Sequence, residues 1–75
     1  QSLRNAAWFY ADVKLYAKAE TFLMRFLEGT RASAAEDWRF LGDIRLSMGD
    51  FSGAKRAYRR AASQLVAGLK TAKGQ

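Results

Sequence analysis

Seventy-five residues, 49% hydrophobic and 27% charged, suffice for one small domain and are too apolar for a disordered chain. Cysteine and histidine are both missing, which excludes disulfide frameworks, zinc fingers, Cys/His nucleophile pairs and Ser-His-Asp triads. The net charge is +6, no signal-peptide pattern is present, and no apolar run approaches the roughly 20 residues that span a bilayer. Gln1 is not a natural initiator, so an excerpt or a processed form is expected, and the compartment stays open between cytoplasm and periplasm.

Four helices are expected in chain order, over residues 2–12, 14–28, 34–48, and from 51 into the seventies. No proline interrupts any of them. In the first, Trp8, Phe9 and Tyr10 are consecutive, so their side chains spread over about 200° of a helix and cannot all enter one core stripe. Tyr10 shares the face of Leu3, Ala6 and Ala7, Phe9 is expected against the neighbouring hairpin, and Trp8 is left over. Gly29 closes the second helix, and Ser33 with Glu36 three residues later has the spacing of a capping box that starts the third. Trp38, Leu41, Ile44 and Arg45 then recur at three- and four-residue steps along one stripe. Gly49 suits the left-handed residue that ends a helix, and Asp50 suits the acceptor that begins the next. Ala54, Tyr58, Ala61 and Leu65 form the stripe of the fourth helix, and the smallness of Gly42 and Ala54 lets helices three and four approach closely as a hairpin. Leu65, Val66, Leu69 and Ala72 continue an apolar stripe past Gly68, and a glycine inside a helix costs only about 1 kcal/mol. That extension is expected to cap a repeat array or to dock a neighbour.

The first half answers the second at an offset of 35: Leu3 with Trp38, Ala6 with Leu41, Ala7 with Gly42, and Tyr10 with Arg45. Further on, Tyr16 answers Phe51, Ala19 answers Ala54, Leu23 answers Tyr58, and Phe26 answers Ala61. Small residues meet small ones at Ala7/Gly42 and Ala19/Ala54, where helices touch most closely. The first copy lacks the tryptophan, and Asp12-Val13-Lys14 stands where the second has its glycine turn.

The second copy resembles a tetratricopeptide repeat, whose signature runs W-x2-L-G, a later aromatic, A-x3-F and a proline. Trp38, Leu41, Gly42, Ala54, Tyr58 and Ala61 match it, and Gly49-Asp50-Phe51 matches the usual turn. Arg45 replaces the late aromatic of the first helix, and Val66 replaces the closing proline. The resemblance implies an all-α fold of two antiparallel hairpins stacked as a short α-solenoid. It divides a single domain into repeat one (1–33), repeat two (35–68) and a C-terminal helix extension (69–75).

In that family the first helix of each hairpin lines a concave groove that receives a peptide or a partner helix. The resemblance places Arg4, Trp8 and Ala11 of copy one, and Arg39, Asp43 and Leu46 of copy two, in such a groove. An aromatic beside an arginine is the chemistry of binding hot spots. The plainer alternative has Trp8 covering the N-terminal end of the array as packing. Arg39 and Asp43, four apart, also have the spacing of a helical ion pair, worth no more than about 0.3 kcal/mol in that order. The lysine/asparagine clamp by which some members grip acidic tails is missing. Phe40 and Trp8 stand where it needs asparagine, and Arg4 is its one clear basic match, so chaperone tails are not expected.

Through Asp50 seven basic residues balance all seven acids, and the excess follows as Lys55, Arg56, Arg59, Arg60, Lys70 and Lys73. Lys55/Arg59 and Arg56/Arg60 form two ladders on the outer side of helix four. Such a face is either solvated or suited to a phosphate backbone, an anionic membrane or an acidic protein. Nucleic acid and membrane rank behind a protein partner, because the aromatics lie on other helices. Glu36 and Asp37 are adjacent and point about 100° apart, Ser33 has no histidine to activate it, and no G-x-x-x-x-G-K loop occurs. Neither enzymatic activity, a cofactor, a metal nor a small-molecule substrate is therefore expected. Two hairpins leave apolar surface at both ends, and roughly three are usual in an independent array. Self-association is thus expected in isolation, with the fourth helix and the aromatic second helix as contact surfaces. The expected function is a protein–protein interaction module, a scaffold or adaptor. The alternatives are a self-assembling or homodimerising segment, or an electrostatic adaptor for nucleic acid or membrane.

Overall fold

A computed structural model describes residues 3–29 and 35–73, with side chains as far as residue 66. Four helices account for nearly all of these: α1 (Leu3–Asp12), α2 (Tyr16–Gly29), α3 (Ala35–Ser47) and α4 (Phe51–Lys73). Among the described residues there is no strand. Helix α1 packs on α2 and α3 on α4, and α2 against α3 joins the two hairpins. The fold is all-α.

Both hairpins turn by the same hydrogen bonds. The Lys14 N–H donates to the Ala11 carbonyl (3.0 Å) and the Leu15 N–H to that of Tyr10 (2.8 Å). At the matching places of the second copy, the Gly49 N–H donates to Leu46 (3.0 Å) and the Asp50 N–H to Arg45 (2.9 Å). This nested pair is the Schellman closure of a helix, which requires a left-handed residue just past the end. Gly49 fills that place at φ 85° and Lys14 at φ 66°. Lys14 therefore adopts the glycine conformation instead of opening the second helix. The expected start at residue 14 is corrected to Tyr16. In the second turn Asp50 also caps α4, its Oδ1 accepting the Gly53 N–H at 3.0 Å. Ser33, the expected cap of the third helix, lies outside the described residues.

The core is built from small residues and a few leucines. Ala7, Ala19, Leu23, Leu27, Leu41, Ile44 and Ala57 form one buried cluster that runs through both hairpins. The four small positions expected at close contacts, Ala7, Ala19, Gly42 and Ala54, are all buried. At Gly42 the reason is visible. A Cβ there would stand 2.7 Å from Cε1 of Tyr58, so the tyrosine ring of α4 lies flat on the glycine of α3. Alanine-rich contacts bury little apolar area per residue, so this core is thin even for a chain of its size.

Two packing expectations fail. Leu65 does not join the buried stripe of α4 but is exposed, and Ala57 supplies apolar contact instead. Phe9 does not meet the neighbouring hairpin: it is exposed and touches Tyr10 edge-on, with ring centroids 5.4 Å apart. Helix α1 is rotated so that Trp8, not Phe9, faces hairpin two.

Candidate functional site

Side by side, α1 and α3 form the walls of a shallow cleft. Arg4, Trp8, Arg39 and Asp43 line it, together with Glu36, Asp37 and Phe40. Its volume is about 250 Å³. Four of the six groove residues expected from the sequence therefore come together. Ala11 and Leu46 do not. Ala11 is half-buried against the core, and Leu46 turns to the far side of hairpin two, beside Phe51 and Lys55.

The floor of the cleft is electrostatic. Asp37 is 3% exposed, and the Arg4 Nε lies 2.9 Å from its Oδ1, joining α1 to α3. Glu36, next in sequence, points away into solvent, with only a 3.9 Å approach to Arg4. Arg4 is thereby committed to holding the two walls together. Asp43 is committed too: it accepts the hydroxyl hydrogen of Tyr58 and does not pair with Arg39 as its spacing allows. This bond, then desolvation and the charge of Asp43, raise the Tyr58 phenol above its ordinary value. Among the described residues Arg39 makes no ion pair.

The walls are aromatic. Trp8 stacks on Phe40 with centroids 4.9 Å apart and planes 24° apart, yet remains 58% exposed. It packs across the inter-hairpin seam and keeps most of its surface in water. The cleft thus offers an exposed indole, half-covered Phe40 and the Arg39 guanidinium within one small area.

The remaining expected residues lie elsewhere. Lys55, Arg56, Arg59 and Arg60 are all exposed on α4. They do not make one stripe, however. The Arg60 guanidinium sits 5.0 Å from the centroid of the Trp38 ring, whereas Lys55 and Arg59 flank an apolar depression with Leu46 and Phe51. On α2, the aromatic residues Tyr16, Phe22 and Phe26 are half-buried against the core, with Phe22 stacked on Tyr10 at 5.3 Å.

Arg45 is the residue whose role sequence reasoning missed. Its Nε donates to Glu20 Oε2 at 2.7 Å, one Nη to the Gly53 carbonyl at 3.2 Å, and the other approaches the Met24 sulfur at 3.6 Å. It ties α3 to α2 across the inter-hairpin seam and to the first turn of α4. The signal was present as a departure from the repeat pattern, a cation where the first copy has Tyr10. Its acidic partner, 25 residues earlier, is not within reach of any helical spacing rule. Among the described residues no cluster of carboxylates is arranged to hold a metal ion, and no helix is long and apolar enough to cross a membrane. No protein-family model matches the chain, and neither does any curated protein or solved structure.

Proposed function

We propose that this chain is a tetratricopeptide-like interaction module that receives a partner peptide or helix in the cleft between α1 and α3. The observation that carries the reading is the Trp8–Phe40 stack, an aromatic pair left 58% open at Trp8 and set beside Arg39. A large aromatic on a small domain is normally drawn into the core, and one held in place by a ring beneath it loses little entropy on binding. Arg4 and Asp43 act as supports, since each is already held by a neighbour. Arg39 supplies the charge for the partner, which favours a ligand with a carboxylate next to an apolar anchor. The basic residues of α4 support a polyanion reading less well, because Arg60 turns to Trp38 while Lys55 and Arg59 border an apolar surface.

Peptides selected from a random library on the wild-type chain, then titrated against Trp8→Ala, test the assignment. Loss of a central aromatic anchor costs about 2 kcal/mol, or roughly 30-fold in affinity. Affinity unchanged by Trp8→Ala removes the cleft as the binding site.

A further inference from the structure

Beside the Arg4–Asp37 and Trp8–Phe40 contacts of α1 with α3, the two hairpins meet mainly through one face of α2 and one face of α3, and the internal repeat carries each of these two faces onto a second helix. On α2 that face includes Glu20 and Met24, which receive the Arg45 guanidinium, and the buried Leu27. Their counterparts on α4 are Lys55, Arg59 and Ala62, which line an open apolar depression of about 470 Å³ with Leu46 and Phe51. Phe51 is 68% exposed there. On α3 the docking face includes Ile44 and Arg45, whose counterparts on α1 are Phe9 and Tyr10. Ile44 is 2% exposed, whereas Phe9 is 61% exposed beside a hollow lined by Asn5, Ala6 and Tyr10. Helix α4 therefore presents the receiving surface, and α1 the inserting surface, of an interface that this chain already makes once internally.

Charge selects the occupant. Arg45 docks on Glu20, but the counterpart of Glu20 is Lys55, so a helix that brought a second arginine to this place would meet a like charge. Helix α1 brings Tyr10 instead, whose phenolic oxygen accepts hydrogen bonds from an ammonium or guanidinium. We infer that copies of this chain associate head to tail, α4 of one receiving α1 of the next, with Phe9 entering the depression beside Phe51. The contact is heterologous, so its repetition builds an open series instead of closing on itself. Neither Phe9 nor Phe51 lines the peptide cleft. Trp8 and Phe9 are neighbours in sequence and point about 100° apart on α1, so either surface is testable without the other.

Sedimentation equilibrium of the full 75-residue chain decides the matter, using wild type, Phe9→Lys, Phe51→Lys and an equimolar mixture of the two variants. Wild type is expected to give a concentration-dependent series beyond the dimer. Each variant alone is expected to be monomeric, since an ammonium brought into the apolar contact beside Lys55 and Arg59 meets like charge and weakens it by about 100-fold or more. The mixture is expected to form a one-to-one dimer and stop, because it retains a single intact α4–α1 contact. Both phenylalanines are exposed, so the helical circular dichroism of each variant is expected to match wild type; Phe9→Ser and Phe51→Ser replace any variant that loses it. Wild type that stays monomeric to about 1 mM overturns the inference and leaves the α4 face to a different occupant. So does association that survives either substitution, or a mixture that remains monomeric.

Discussion

At the scale of single residues, the chain spends its few unusual conformations at the places where helices turn or touch. Lys14 holds a left-handed backbone that costs a non-glycine residue about 1–2 kcal/mol. Glycine avoids that cost and returns only about 0.5–1 kcal/mol in unfolded-chain entropy. Lys14→Gly is therefore expected to raise the urea midpoint slightly, and a lowered midpoint would mean that the first turn does not close like the second. Tyr58 makes a second residue-scale case. Its ring covers Gly42 and its hydroxyl donates to Asp43, so the bond exists only while the phenol keeps its proton. The folded value is raised above 10.0, so the contribution is complete below that pH and is lost as pH rises through the raised value. Wild-type stability is expected to fall more steeply above pH 10.0 than that of Tyr58→Phe, and parallel profiles would contradict the bond.

At the scale of elements, the question is what holds hairpin two on hairpin one. Alanine contacts set the distance between helices but contribute little apolar area, so directional bonds matter more than usual. Arg45 makes three contacts from one guanidinium, and neither it nor Glu20 is more than a quarter exposed. Screening is accordingly weaker than at an open surface pair. A double-mutant cycle with Glu20→Gln and Arg45→Met is expected to give a coupling energy of about 1–3 kcal/mol in urea unfolding. A coupling near zero would remove this latch from the account. The same position in hairpin one is Tyr10, which stacks on Phe22 of its own partner helix. One register position thus serves intra-hairpin packing in the first copy and inter-hairpin attachment in the second.

At the scale of the whole molecule, the repeat is what made the fold legible. Helix number, the glycine turn and the small contact residues all follow from local spacing, and the match of Ala7 with Gly42 and Ala19 with Ala54 located both hairpins. The first turn was harder, because Lys14 carries no sign that it takes a glycine conformation. Arg45 with Glu20, Arg4 with Asp37 and Trp8 with Phe40 join separate helices, and no helical periodicity links partners so far apart. The cleft was half visible for that reason. The resemblance to the repeat family places Arg4, Trp8, Arg39 and Asp43 on the two helices that line the cleft, whereas the rotation of each helix, which sends Leu46 away and Phe9 outward, is set by the contact between hairpins.

That contact is the premise of both the cleft and the end-to-end surfaces, and it brings two rings from different hairpins to a centroid distance of 4.9 Å. The direct test is the proton Overhauser spectrum of the folded chain, read at the Trp8 indole. Cross-peaks from its ring protons to those of Phe40 are the predicted result. A Trp8 ring that shows contacts only within its own helix, while Tyr10 and Phe22 still report each other, would mean that hairpin one forms but hairpin two does not dock beside it.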